Sequence, residues 1–329
     1  MDDQIVLDVQ QLVIEFHTDQ GVVRAVDNLD FQLKKGRILG LAGESGCGKS
    51  VTALSIMRLL PKPVSQMVQG QVIYNNRDIS KISKNEMCQI RGRKIAMIFQ
   101  EPMTALNPVQ GIGKQMMEVY KLHFPKMSVR EMEKAAVTML EKTGISDPEK
   151  VMKTYPHNLS GGMRQRVMIS MSLSCEPDIL IADEPTTALD VTVQAQILDL
   201  IKTFQAKSGM SVILITHDLG VIAENCDDVV IMYAGRIAEK AGVVTLFKHP
   251  CHPYTKGLLT SIPGLAKKSK TILPTIKGNV PSLMNMPKAC RFADRCSWVQ
   301  DICRKIVPQE RKMRQNHTAA CHLADINKN

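Results

Sequence analysis

Apolar and polar positions along the chain change period in blocks, and each block predicts an element. Ile5 to Phe16 and Val22 to Leu33 mix β-branched and alternating residues around Asp19, Gln20 and Gly21, which predicts two strands joined by a turn. Arg37 to Ala42 is an apolar run of strand length, and a helix is expected from Gly48 to about Leu60, where Pro61 and Pro63 end it. Met103 to Cys175 has helical spacing and many methionines, with Ser128 to Thr143 the clearest helix. Asp178 to Asp183 and Ser211 to Thr216 are short apolar runs separated by a helical stretch from Val191 to Ala206, the alternation of a parallel α/β sheet. Val229 to Tyr233 and Arg236 to Glu239 flank Ala234-Gly235 and predict a hairpin.

After about Thr245 the texture changes. Prolines stand at 250, 253, 263, 274, 281 and 287, a lysine cluster occupies 267–270, and four cysteines follow. A boundary is therefore expected there, giving domains 1–245 and 246–329, with a helical subdomain inserted at about 101–175.

Composition narrows the class. The chain has 329 residues, 44% of them hydrophobic, enough for one large or two modest domains with a sizeable core. No run approaches the roughly eighteen apolar residues of a membrane span, and MDDQIVLDVQ lacks a signal-peptide pattern, so the chain is expected neither to span a membrane nor to be secreted. Nine cysteines then read as thiols or metal ligands rather than disulfides. Charge is uneven: Leu246 to Asn329 holds fifteen Lys and Arg against four Asp and Glu, whereas the whole chain carries +10. Such a basic segment suits a solvated surface, anionic lipid, nucleic acid or an enclosed anionic cluster.

The chemistry concentrates in three stretches. GESGCGKS, comprising Gly43, Glu44, Ser45, Gly46, Cys47, Gly48, Lys49 and Ser50, with Val51 after it, follows a predicted strand and opens a predicted helix. Backbone N–H groups and the helix end would cradle phosphates, Lys49 would reach the β and γ phosphates, and Ser50 would ligate Mg²⁺. Cys47, near that helix end, is expected to be a reactive thiolate. Asp183 closes an apolar strand, where its carboxylate suits a Mg²⁺ shell shared with Ser50 and water, and Glu184 is placed to deprotonate an attacking water. Cys290, Cys296, Cys303 and Cys321 are separated by five, six and seventeen residues, too wide for a C-x-x-C zinc ribbon. The spacing by itself leaves zinc, an iron–sulfur cluster and free thiols open.

LSGGMRQR at Leu159 to Arg166, followed by ILIADEP at Ile179 to Pro185, resembles the signature of the ABC ATPase superfamily over residues 5–245. The resemblance implies an α/β P-loop NTPase core with an N-terminal antiparallel β subdomain, an inserted helical subdomain and a small irregular Cys-rich C-terminal domain. It further implies that Phe16 stacks on adenine, its alternative being a core strand residue. Gln100 would sense Mg²⁺ and γ-phosphate, His217 would contact γ-phosphate, and Asp190 would communicate across a dimer while capping a helix. Ser160, Gly161 and Gly162 would close on ATP held by a second subunit. Met163 replaces the more common glutamine of the signature, with little expected loss.

KGNVPSL, CRFADRC, HPYTKGLL ending at Leu259 and FQEPMTALNP at Phe99 to Pro108 resemble the bacterial dipeptide, oligopeptide and nickel importer group. That resemblance implies a 4Fe-4S cluster on the four late cysteines, with Arg291, Arg295 and Arg304 offsetting its charge. Cys251 and His252 are metal-capable, but HPYT reads as a helix start. The implied function is ATP hydrolysis, with ATP and Mg²⁺, powering import of di- or oligopeptides at the cytoplasmic face of the inner membrane. The implied partners are a second, paralogous ATP-binding subunit, two permease subunits and, indirectly, an extracytoplasmic binding protein, with no nucleic acid. Two alternatives stand beside it: the same role for nickel or a metal chelate, and a soluble ATPase acting on nucleic acid.

Overall fold

The computed structural model describes residues 4–101, 105–187, 189–262, 275–284 and 286–324. The lysine cluster at 267–270, the prolines at 263 and 274, and 102–104 within FQEPMTALNP lie outside them. The chain forms two compact units, residues 1–80 with 214–329, and residues 81–213.

The first unit opens with β1 (Ile5–Thr18) and β2 (Gly21–Lys34), paired antiparallel and buried along one face through Leu7, Val9, Leu12 and Ile14. Next, β3 (Ile38–Ala42) is buried at every position, and it delivers the chain to the loop before α1 (Lys49–Ile56). Two further strands, β4 (Ser65–Tyr74) and β5 (Arg77–Asp78), complete an antiparallel sheet of order β2-β1-β4-β5. The helix expected to run to Leu60 stops at Ile56. Arg58 takes a left-handed conformation with φ 51°, its N–H bonds the Ser55 carbonyl, and the Leu59 N–H reaches back to Leu54. This double closure terminates a helix without the glycine that normally marks it, so the prolines do not set the end.

The second unit holds α2 (Lys84–Ile90), β6 (Ile95–Ile98), α3 (Ile112–His123), α4 (Val129–Lys142), α5 (Pro148–Met152), α6 (Gly161–Leu173), β7 (Ile179–Asp183) and α7 (Val191–Ser208). Ser128 caps α4 in a reciprocal box with Glu131, and Met132, Ala136, Met139 and Leu140 supply its buried stripe. β6 and β7 run parallel, and both are wholly buried, as apolar strands of parallel sheets are.

β8 (Ser211–Thr216) carries the chain back, and the first unit resumes with α8 (Leu219–Asn225), β9 (Asp228–Tyr233) and β10 (Arg236–Gly242). β9 pairs parallel with β3 and antiparallel with β10, which is the predicted hairpin. After α9 (Val243–Lys248) and α10 (Pro253–Thr260), the late segment adds β11 (Arg311–Arg314) and β12 (His317–Ala319), and β12 pairs with β10. The cysteine-rich tail is thus part of the first unit's sheet. Tyr233, Tyr254 and Phe292 pack ring to ring at 4.7 to 5.4 Å, joining β9, α10 and the cysteine loop in one core.

Candidate functional site

The phosphate-binding loop lies between β3 and α1. Gly43 has φ +151°, and a Cβ there would stand 2.2 Å from the Met232 carbonyl; Gly48, at φ +103°, would meet the Ala25 carbonyl at 2.6 Å. Only glycine fits either position. Gly48 is also the N-cap of α1 and offers no side chain, so the helix end is left for an external acceptor. Lys49 is 5% exposed, and its ammonium donates to the carbonyls of Gly43 at 2.8 Å and Glu44 at 3.1 Å. Ser45 and Gly46 are exposed, Ser50 is half-buried, and Val51 lies on the first turn. Phe16 sits half-buried on β1 opposite Val23 and Ser65.

Cys47 departs from expectation. Its side chain is fully buried, and burial pushes the thiol up despite Lys49 only 3.8 Å away. Burial opposes the thiolate that the helix end would favour, so the structure places Cys47 as a packing residue of the loop.

Glu44 is held from the tail. Its N–H donates to the Tyr254 hydroxyl at 2.9 Å, and its carboxylate accepts two bonds from Arg295 at 2.5 and 2.9 Å. Asp27 is held in a similar way by Arg236, Arg24 and Arg291. Burial alone would raise its carboxyl, but those three guanidiniums outweigh burial and hold it below the usual range. His217 stands exposed just beyond β8, ahead of the α8 N-cap Asp218.

In the second unit, β7 ends in Asp183, which is 3% exposed. Glu184 follows at φ 46°, a left-handed conformation that is costly for a non-glycine residue and that turns its side chain off the strand line. Its carboxylate accepts from Gln100 Nε2 and from the Thr187 hydroxyl, both at 3.0 Å. The two residues expected to act on γ-phosphate and water are therefore in direct contact. Ser160 caps α6 by accepting from the Met163 N–H, while Ser160 and Gly161 are exposed and Gly162 is half-buried. Gln165 of α6 donates to the Pro185 carbonyl, tying the signature helix to the turn after β7. Asp190 caps α7 through the Val193 N–H at 2.9 Å.

The four late cysteines lie in one neighbourhood, where the Cys290 N–H donates to the Cys303 carbonyl at 2.9 Å, but no three of their sulfurs gather within 4.8 Å of one another. Cys290 is pushed up to about 11 by burial, with the charges of Cys303, Cys321 and Cys296 acting in the same direction. N–H groups of Trp298 and Leu323 donate to the sulfurs of Cys296 and Cys321 at 3.3 and 3.4 Å. Such bonds favour thiolates held by metal. The arginines do not serve them as expected: Arg291 pairs with Asp27, Arg295 with Glu44 and Arg304 with Asp294. Nearby carboxylates outcompete buried, neutral thiols for guanidinium. Sequence reasoning also missed Glu239 and His317, which with Cys251 place their ligand atoms within 4.8 Å of one another. Glu239 there accepts from the backbone of Cys251 and His252 and contacts His317 Nε2 at 2.7 Å. His252 caps α10 through its Nδ1, as the helix-start reading expects.

A family model described as ABC transporter matches residues 26–187, and one described as oligopeptide/dipeptide transporter, C-terminal region, matches residues 238–303. The dipeptide transport ATP-binding protein DppD of Bacillus subtilis is 49% identical over 97% of this chain and 95% of its own length. The oligopeptide transport ATP-binding protein AppD of the same organism is 47% identical over 96% of each chain. Among solved structures, a dimeric post-hydrolysis state of the ATP-binding cassette MJ0796 bound to ADP and Pi is similar at TM-score 0.65 and 25% identity, over 72% of this chain and 98% of that one.

Proposed function

The chain belongs to the ABC transporter family of ATP-binding proteins, in the group with the oligopeptide/dipeptide transporter C-terminal region, and from that premise we propose that it hydrolyses ATP to power peptide import. The observation that carries this reading is the similarity to peptide-transport ATP-binding proteins across the catalytic motifs and the tail together. No observation favours the metal-chelate or nucleic-acid alternatives.

In this reading Lys49 and the loop N–H groups of Gly43 to Ser50 bind the phosphates, and Phe16 stacks on adenine. Ser50, Asp183 and Gln100 serve Mg²⁺. Glu184 takes the proton of the attacking water, oriented by its bonds from Gln100 and Thr187, and His217 contacts γ-phosphate. The Ser160, Gly161 and Gly162 helix end binds the ATP of a second ATP-binding subunit, with Asp190 at the shared boundary. Two permease subunits receive the motion, and a binding protein delivers peptide to them. Among the described residues no helix is long and apolar enough to cross a membrane, which supports a peripheral subunit held by those permeases at the cytoplasmic face.

For the tail we propose a 4Fe-4S cluster on Cys290, Cys296, Cys303 and Cys321. The neighbourhood of four thiols and the N–H bonds to two of the sulfurs suit that group, and it would supply a covalent staple for an irregular segment. Iron and sulfide analysis of anaerobically purified protein tests it.

The direct test of the main reading is peptide uptake by cells carrying Glu184→Gln. Loss of uptake with ATP binding retained is expected; uptake at the wild-type rate overturns the reading.

A further inference from the structure

Arg295 is separated from the phosphate loop by 251 residues, yet it is the charge partner of that loop's carboxylate. Its side chain is 6% exposed, and its five N–H donors have five acceptors. Nη1 and Nη2 hold the two oxygens of Glu44 at 2.5 and 2.9 Å. Nη1 also meets the Tyr233 hydroxyl at 3.3 Å, Nη2 the Ile276 carbonyl at 3.5 Å, and Nε the Lys277 carbonyl at 3.1 Å. The guanidinium also lies 5.7 Å from the Tyr233 ring centroid. A guanidinium so filled is a fixed charge, not a surface side chain sampling solvent.

Glu44 is gripped at both ends, its N–H by Tyr254 and its carboxylate by Arg295, and its carbonyl in turn receives the Lys49 ammonium at 3.1 Å. The line of contacts runs from the cysteine loop, where Arg295 precedes Cys296, through Glu44 to the lysine that meets phosphate. A carboxylate in a phosphate-binding loop opposes a polyanion. Left unpaired, it would add a negative charge on the residue whose carbonyl receives Lys49.

We propose that Arg295 is a positioning residue for ATP binding: by neutralising and fixing Glu44, the cysteine-rich tail sets the charge of the phosphate loop. The proposal rests on the ATPase reading above. Its consequence is that tail and nucleotide affinity are linked through one ion pair, with the cost of losing it growing with phosphate charge.

The test is calorimetric binding of ATP and ADP to the full chain, with steady-state hydrolysis alongside. Arg295→Gln is expected to weaken ATP binding about tenfold, ADP binding less, and to raise KM with kcat at saturation within about twofold. Adding Glu44→Gln to that variant is expected to restore most of the lost affinity, because the unpaired carboxylate is then gone. Glu44→Asp, which withdraws the carboxylate from the guanidinium and leaves the tail intact, is expected to weaken ATP about threefold and serves if Arg295→Gln fails to fold. Unchanged ATP binding in folded Arg295→Gln or in Glu44→Asp overturns the proposal. So does a double variant as weak as Arg295→Gln alone, since Arg295 would then act only by holding the tail. Wild-type protein that binds no ATP would instead overturn the ATPase reading itself.

Discussion

The two glycine-flanked helix ends of this molecule are built in opposite ways. At α1 the end is sunk behind a loop whose glycines permit close backbone approach, whose lysine folds over the loop carbonyls, and whose cap residue has no side chain. At α6 the end is capped by its own serine and presented outward with Gly161 exposed. A recessed, uncapped end takes a ligand into its own fold. An outward end that has already satisfied one donor can add contacts only to something brought to it. On the reading proposed above the contrast suits a nucleotide shared between two protomers, and it follows from the local chemistry of each end alone.

Several variants can break that contrast. Glu184→Gln should slow hydrolysis about 100- to 10,000-fold while α1 still binds ATP, leaving a nucleotide-dependent dimer visible by light scattering. A dimer that forms equally without ATP would remove the outward end from the scheme. Lys49→Ala should weaken ATP binding about 10- to 100-fold in titration calorimetry, because a charge-assisted donor is lost from the recessed end. Ser160→Arg should leave protomer binding intact and cut hydrolysis about tenfold or more, by blocking approach to the outward end. Equal damage to binding would mean that the two ends do not differ as argued.

Thiol labelling sharpens the picture of the recessed end. Mass spectrometry after brief alkylation should find exposed Cys88 modified well before buried Cys47. Fast labelling of Cys47 would show that the loop opens far more than its packing suggests.

A third helix end, that of α10, gives the smallest effect and a pH dependence. His252 accepts the Tyr254 N–H through Nδ1, and complete burial pushes it down to about 4 from 6.5. The unfolded chain takes a proton that the fold refuses, so stability is full above pH 6.5 and falls as pH drops toward 4, by about 3 kcal/mol in all. Urea unfolding at pH 7 and pH 5 should show a loss of about 2 kcal/mol, reduced in His252→Asn, which retains a capping acceptor. An identical loss in that variant would assign the acid limb to other groups.

Local chemistry was legible in the sequence wherever one segment sufficed. The β1 and β2 strands, the buried runs of β3, β7 and β8, the α4 helix and the phosphate loop are each specified by neighbours within a few residues. The early stop of α1 escaped because Arg58, not glycine, adopts the left-handed turn. The burial of Cys47 escaped because helix-end electrostatics is visible in a motif and packing is not. The partners of Arg291 and Arg295 escaped for a plainer reason. Each charge is satisfied by a residue more than two hundred positions away, and no periodicity carries that information.

One of those pairings bears on how the chain is made. Asp27 emerges from the ribosome 264 residues before Arg291, its last guanidinium partner, a delay of about 13 to 50 s at ordinary synthesis rates. Through most of that interval Arg24 alone among its partners has been made, because Arg236 follows Asp27 by 209 residues. A prematurely terminated product never completes the set. In chain order the tail's arginine is thus the last of the three guanidiniums to reach that carboxylate.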